Sequence, residues 1–71
     1  MDKKMQLIEY GTQDIIAFLI EDEKMNMIDA MHVFYTSATF EKLQDEETGL
    51  YLEGSAYIYE MLKREIERAR S

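Results

Sequence analysis

His32 is the only histidine in the chain, and it is the side chain best suited to bind a metal ion or to transfer a proton near neutral pH. Asp29 precedes it by three positions, so the two side chains share a face if this segment is helical. A zinc ion needs three or four ligands, so folding would have to bring in Asp45 or Glu41. A small metal-dependent enzyme or regulator that uses His32, Asp29 and Asp45 is therefore the alternative hypothesis.

The acidic run at 45–47 supplies further carboxylates, but its spacing fits neither of the common carboxylate sites. Glycoside hydrolysis needs two carboxylates held apart across a cleft. A calcium loop needs alternating acids, a central glycine and a final glutamate, and residues 45–53 lack that order. The chain has no cysteine, and His32 has no serine partner in a recognisable nucleophile motif. We therefore predict no enzymatic activity, no catalytic residue, no cofactor and no bound metal.

The charge of the chain bears on which partners it can bind. Fifteen acidic and eight basic residues give a net charge of −7, which opposes binding to a phosphate backbone. Residues 26–44 have the spacing of a helix–turn–helix, yet the segment that would read DNA carries Glu41 and Lys42 and no arginine. The longest apolar run, at 15–20, has six residues, far fewer than a membrane span. We predict no nucleic acid, no membrane, a cytoplasmic location and attraction to basic proteins.

Apolar residues recur at three- and four-residue spacing along most of the chain, which predicts an all-α fold. We expect one domain, residues 1–71, built as a small bundle of three main helices plus one short helix. The expected helices are 3–23, 27–36, the short 38–44, and 56–69. The expected N-cap residues are Asp2, Asn26, Thr36 or Ser37, and Ser55. Without disulfides, so short a chain depends on helix packing or on self-association for its stability.

An ordered connector at 45–54 is expected to join the last two helices. Asp45 can accept a hydrogen bond from the amide of residue 47 or 48, and Gly49 can take a positive φ angle. Leu50 and Leu52 alternate with polar or aromatic neighbours, which predicts a short extended piece with both leucines on one side. Tyr57 and Tyr59 are about 200° apart on a helix, so only one of them can face the core. We assign Tyr57 to the core and Tyr59 to an interface.

The apolar residues exceed what one small core requires. The expected core is Ile8, Ile15, Leu19, Met31, Phe34, Phe40, Leu43, Leu50, Tyr57, Ile58 and Leu62. Residues 15–20 are apolar around the whole helix, and such a helix is normally buried on every side. The predicted protein-interface residues are Ile16, Phe18, Ile20, Tyr51 and Tyr59. The leading hypothesis is a non-catalytic protein–protein interaction module that binds itself, as a possible homodimer, or a basic protein, or both.

Two stretches, MNMIDAMHVFYTS and SATFEKLQDEETGLYLEGSAYIYEMLKREI, form a longer pattern over residues 25–66. Its positions are Ala30, Tyr35, Ser37, Leu43, Asp45, Thr48, Gly49, Leu50, Tyr51, Tyr57, Tyr59 and Leu62. The pattern resembles small acidic bacterial proteins of unknown function. Some proteins of this kind look like companions of toxin–antitoxin-type gene clusters. The resemblance implies partner binding of an antitoxin-like kind, and it implies no catalytic residue.

Overall fold

Helices make up most of the computed structural model, which describes residues 2–70. The helices are α1 (Lys3–Asp22), α2 (Met27–Tyr35), α3 (Ala38–Gln44) and α4 (Ser55–Arg70). Between α3 and α4 the chain makes two 3₁₀ turns, Glu46–Thr48 and Leu50–Leu52, and no strand occurs within residues 2–70. The prediction of an all-α fold with three main helices and a short one is confirmed.

Polar side chains fix where the first three helices begin. Asp2, Asn26 and Ser37 each accept a backbone N–H from the second or third residue of the following helix, at 3.1, 2.8 and 3.0 Å. Ser55 does not act as the predicted cap, because α4 begins one residue earlier and Ser55 is its first helical residue. Its hydroxyl instead donates to Asp14 at 2.6 Å, which ties α4 to α1.

The core contains side chains from all four helices and from the connector. Its buried apolar members are Ile15, Leu19, Ala30, Phe34, Leu43, Leu50, Ile58, Tyr59 and Leu62. Ile8 and Phe40, which were expected in the core, are half-buried and pack against it. Met31 was also expected there, but 39% of its surface is exposed. Helix α2 turns Ala30 and Phe34 inward instead, four residues apart on one face.

The assignment of the two tyrosines on α4 was wrong, since Tyr59 is buried and Tyr57 is exposed. Only 6% of the surface of Tyr59 is accessible, against 56% for Tyr57. At about 100° per residue, Tyr59 lies roughly 60° from the buried Leu62, whereas Tyr57 lies roughly 140° from it. Helix α4 therefore presents Ile58, Tyr59 and Leu62 to the core, and Tyr59 has almost no surface left for a partner.

Helices α1 and α2 form an antiparallel hairpin joined by a short turn. The amides of Glu23 and Met25 both donate to the Leu19 carbonyl, at 3.1 and 3.4 Å, which ends α1. Between them Lys24 takes a left-handed conformation, with φ of 57°. On the side of α1 that faces α4, Gly11 is buried, and a Cβ atom there would lie 3.8 Å from Cδ1 of Ile58.

The connector is ordered as predicted, but its second half is not extended. Asp45 accepts the Glu47 amide at 3.0 Å, and Gly49 has a φ of 64°, so both turn predictions are confirmed. Residues 50–52 form a 3₁₀ turn, in which side chains two positions apart point in different directions. Leu50 is therefore buried while Leu52 is 69% exposed, and the prediction that both leucines face one side was wrong.

A carboxylate on α4 holds the beginning of α3. Glu65 accepts the backbone amides of Ala38 and Thr39 at 2.8 and 2.9 Å, and the Thr39 hydroxyl at 2.8 Å. These donors belong to the first turn of α3, which has no partner for them within the helix. The contact attaches the shortest helix to the last one.

Candidate functional site

An apolar groove runs along the outer side of the α1–α2 hairpin. The volume of the groove is about 310 Å³. It is lined by Gln13, Ile16, Ala17, Ile20, Met27 and Met31. Ile16 and Ile20 are half-buried, and Met27 is 61% exposed. Ile28, next to Met27 on α2, is 79% exposed. We call this surface the α1–α2 groove.

The groove continues toward the beginning of α1. Gln13 also lines the adjoining depression, which is formed by Ile8, Glu9, Thr12, Tyr35 and Phe40. Tyr35 is 45% exposed there. Ile8 and Glu9 in turn border a third depression beside Met5. Taken together, the groove follows α1 from Met5 to Ile20, a length of about 22 Å at the rise of an α-helix.

The two helices that form the groove are acidic, with their lysines at the two ends of α1. From Lys3 to Tyr35 there are six carboxylates and three lysines, a net charge of −3 out of the −7 of the whole chain. Three of these carboxylates, on Glu21, Asp22 and Glu23, follow Ile20 directly at the end of α1. No basic residue lies in the last turn of α1, so these acids add to the negative end of the helix dipole.

The predicted interface residues do not form one surface. Ile16 and Ile20 lie in the α1–α2 groove. Phe18 lies on the α4 side of α1, where its ring centroid is 5.0 Å from that of the buried Tyr59. Tyr51 is half-buried in the connector, with the Lys4 ammonium 5.7 Å from its ring centroid. The structure therefore brings two of the five residues together in the groove, and it places Phe18 and Tyr59 against each other instead.

The Tyr59 hydroxyl occupies an unusual position beside the acidic end of α1. It is buried, with the Asp22 carboxylate next to it. Burial, followed by hydrogen bonding to Asp22 and the negative charges of Asp22, Glu23 and Glu60, raises the pKa of Tyr59 to about 12. The Lys63 ammonium lies 5.6 Å from the ring centroid. The hydroxyl is thus protonated at neutral pH, when it can donate to the Asp22 carboxylate.

His32 and the carboxylates proposed to join it are not arranged as a metal site. Within residues 2–70, no group of three or more histidine, aspartate and glutamate side chains is placed to hold an ion. His32 is exposed beside a shallow depression formed with α4. The Asp45 carboxylate is engaged with the Glu47 amide, and Asp29 lies in the first turn of α2.

Sequence reasoning missed the α2 wall of the groove. Met27, Met31 and Tyr35 recur every four residues, which places them along one face of α2. That spacing is the same for a core face and for an exposed face, and of these three residues Met31 was predicted to lie in the core. The core face is instead formed by Ala30 and Phe34, which have the same spacing, so spacing alone does not separate the two faces.

Comparison of the chain with protein-family models, with curated proteins and with solved structures finds no match. In the part of the chain that the structure describes, no helix has the length and apolarity that crossing a membrane requires.

Proposed function

We propose that this protein is a non-catalytic protein-interaction module, whose α1–α2 groove binds the apolar face of a helix from a partner. The observation that carries the proposal is the exposed apolar groove itself. Met27 and Met31 are 61% and 39% exposed, and they line the groove with the half-buried Ile16 and Ile20; Ile28, next to Met27 in the chain, is 79% exposed. Contiguous apolar surface of this kind on a small protein commonly marks an interaction site.

The shape of the groove suits a helix. Its walls are two antiparallel helices, and a third helix laid between them would place apolar residues at i, i+3, i+4 and i+7 against both walls. Along α1 the three adjoining depressions span about 22 Å, or about 15 helical residues, with α2 as the second wall near Ile20 and α3 as the second wall near Met5. Methionine side chains are flexible and polarisable, so Met27 and Met31 can adjust to different apolar side chains.

The exposed apolar area sets the scale of the binding. Complete burial of a methionine or isoleucine side chain contributes about 1.5–3 kcal/mol, and these side chains are already partly buried. Association costs about 4–15 kcal/mol in lost translational and rotational freedom. The stabilisation from burying the groove side chains therefore exceeds the lower end of this cost by only a few kcal/mol. We therefore expect weak, reversible binding unless other contacts add to it.

The wider role that we propose is antitoxin-like partner binding in the bacterial cytoplasm. Its support is the resemblance of residues 25–66 to small acidic bacterial proteins, together with the absence of cysteine and the acidic charge. Met27, Met31 and Tyr35, which form the α2 wall of the groove, fall within the resembling stretch. The groove gives such a protein a surface on which to hold its partner.

A designed peptide can test the groove without knowledge of the natural partner. The peptide has about 15 residues, leucines at i, i+3, i+4 and i+7, and glutamine on its polar face so that it is uncharged. The methyl groups of the methionines report its position by NMR. We expect the Met27 and Met31 methyl signals to shift on titration, whereas the Met61 signal, from a half-buried residue of α4, does not move.

Substitutions supply the matched comparison. Ile20→Glu, in the groove, is expected to weaken peptide binding at least tenfold, because a charge would be desolvated on the apolar floor. Leu52→Glu, at an exposed leucine of the connector, should leave binding unchanged. Circular dichroism confirms that both variants are folded. Equal binding by the two variants, or shifts at Met61 as large as those at Met27, would show that the groove is not the binding surface.

A further inference from the structure

We infer that Met5, Met27 and Met31 form an oxidation site for hydrogen peroxide and related peroxides, and that their conversion to sulfoxides prevents the α1–α2 groove from binding its partner. The binding part of this inference rests on the proposed function, since it names the regulation of the same groove. The inference follows from which methionines are exposed, from where the exposed ones lie, and from the composition of the buried core.

The methionines that the structure describes fall into an exposed group and a half-buried group. Met5, Met27 and Met31 have 58%, 61% and 39% of their surface exposed. Met25 and Met61 are half-buried and pack against the core. Since an oxidant in solution reaches an exposed thioether more readily than a packed one, oxidation should begin in the exposed group.

The exposed methionines all lie in the depressions that follow α1. Met27 and Met31 line the α1–α2 groove together with Ile20. Met5 lines the third depression with Ile8, which also lines the depression adjoining the groove. Neither of the half-buried methionines lines any of these three depressions. Oxidation of the exposed group therefore changes the surface that we propose for partner binding.

A peroxide converts the thioether of methionine into a sulfoxide by transferring one oxygen atom. A sulfur lone pair attacks one oxygen of hydrogen peroxide, and the O–O bond breaks as the S–O bond forms. The leaving hydroxide takes the proton of the transferred oxygen and departs as water. Sulfur is oxidised by two electrons and the peroxide is reduced by two. The chain has no cysteine, so none of its own thiols competes for the oxidant.

The sulfoxides would change the groove and leave the core intact. The buried apolar residues of the described chain include no methionine, so oxidation of the exposed group places no polar atom among them. A sulfoxide oxygen on Met27 or Met31 would lie in a depression lined by Ile16 and Ile20, and an apolar helix that covered it would remove its water. Methionine sulfoxide reductases reverse the modification with electrons from a dithiol. The groove therefore combines the features of a reversible redox switch.

Peroxide treatment followed by NMR tests the oxidation site itself. The methyl signal of methionine differs between thioether and sulfoxide, so the conversion of each residue is followed separately. We expect Met5, Met27 and Met31 to convert several-fold faster than Met25 and Met61, while circular dichroism shows unchanged helix content. Equal rates for all five residues, or unfolding when the exposed group is oxidised, would overturn the inference.

The uncharged leucine–glutamine peptide, which contains no sulfur, tests the effect on binding. We expect the peroxide-treated protein to bind it at least tenfold more weakly than the untreated protein, because polar sulfoxide oxygens would be desolvated in the complex. Incubation with a methionine sulfoxide reductase and dithiothreitol should restore the original dissociation constant. Equal binding before and after peroxide treatment would show that oxidation does not regulate the groove.

Two sets of leucine substitutions locate the responsible methionines. Leucine has nearly the volume of methionine and has no sulfur to oxidise. A variant with Met5→Leu, Met27→Leu and Met31→Leu should bind the peptide equally well before and after peroxide treatment. A variant with Met25→Leu and Met61→Leu should lose binding on treatment as the parent does. Sensitivity that persists in the first variant would place the responsible methionine outside the exposed group, against the inference.

The outcomes distinguish this inference from the proposed function. If the untreated protein does not bind the peptide, the proposed function fails, and the NMR rates still decide whether the exposed methionines are the oxidation site. If the untreated protein binds and oxidation of the exposed group does not weaken the binding, the inference fails while the groove survives as a binding surface.

Discussion

The Glu65 carboxylate shows how much one side chain can determine in a small fold. Burial by itself would raise its pKa, but hydrogen bonds from Ala38 and Thr39, with the nearby Lys42 ammonium, outweigh burial and lower the pKa. The ionised form is therefore the one that the folded state prefers. Because the contact joins α3 to α4, the protonation state of this residue affects the packing of two helices.

This lowered pKa predicts a loss of stability in acid. The stabilisation from Glu65 is present above the pKa of the unfolded chain, near 4.5, and is lost as the pH falls through the lower pKa of the folded state. We expect Glu65→Gln to lower the free energy of unfolding by about 1–3 kcal/mol at pH 7, because a charged hydrogen-bond acceptor is lost. Urea unfolding from about pH 7 to pH 3 should show less acid-induced loss in the variant than in the parent.

Glu53→Gln is the control for this experiment, since Glu53 is exposed. It should shift stability by less than about 0.5 kcal/mol, as most surface substitutions do. A Glu65→Gln variant as stable as this control at pH 7 would contradict the role that we assign to the carboxylate.

At the scale of single residues, the sequence predicted the hydrogen bonds that form between residues close together in the chain. Asp2, Asn26 and Asp45 make the local hydrogen bonds that their positions indicated. The Glu65 contact spans 26 and 27 positions, so no local pattern indicates it. Ser55 also shows that a local pattern does not predict a distant contact. It was expected to cap its own helix, but its hydroxyl donates to Asp14, 41 positions away.

At the scale of the elements, the positions of the helices were predictable and their rotation was not. Periodicity places apolar residues on one face of a helix. In α2 and in α4, however, two faces offset by one or two positions both carry apolar residues. Tyrosine and methionine can occupy either a core or a surface, so Tyr57 and Met31 were assigned to the wrong one. Which face is buried depends on the neighbouring helix, and that is a property of the assembled bundle.

The contact between α1 and α4 yields a prediction at Gly11. A Cβ atom there would make an ordinary contact with Ile58, at 3.8 Å, and Gly11 lies inside a helix. Gly11→Ala is therefore expected to raise the free energy of unfolding by about 0.5–1 kcal/mol, because alanine has the better helix propensity. Gly11→Leu adds volume that the contact has no room for, and it should lower stability by about 1–3 kcal/mol. Chemical denaturation of both variants checks the pair.

The sign of the change that Gly11→Ala causes in the free energy of unfolding decides the interpretation. A clear destabilisation by Gly11→Ala would mean that α1 and α4 approach more closely than the structure places them. An equal, small effect of alanine and leucine would mean that Gly11 faces open space, which would contradict its burial.

At the scale of the whole molecule, the uneven charge should make stability depend on salt. The α1–α2 hairpin carries a net charge of −3 and the whole chain −7, and mutual repulsion among the carboxylates opposes the compact state. We expect the thermal midpoint to rise by several degrees between about 0.01 and 0.2 M sodium chloride, as the Debye length falls from about 30 Å to below 10 Å. Differential scanning calorimetry measures this shift.

A triple variant with Glu21→Gln, Asp22→Asn and Glu23→Gln removes three of these charges and should show a smaller salt response than the parent. A midpoint that falls with added salt would point the other way, to a fold held by attractive pairs such as Lys4–Glu46, which is 3.3 Å long. This comparison tests the charge distribution without any partner.

The sequence predicted surplus apolar surface, but it assigned that surface to residues on different sides of α1. Ile16 and Ile20 are four positions apart and share the groove, whereas Phe18 lies about 200° from each of them. Helical geometry alone could have separated Phe18 from the other two. Its contact with Tyr59 could not be predicted, because it requires knowing that α4 packs on that side of α1.

The attachment of α3 to α4 has a consequence for how the molecule opens. Helix α3 has seven residues, fewer than an isolated helix needs to persist in water. Since its first amides bond to Glu65, the helix should melt whenever α4 detaches, and the amide deuterium exchange of the two segments should follow a common opening event. Because α4 also packs on α1 through the Phe18–Tyr59 contact, its detachment would bare that side of α1 in the same opening event.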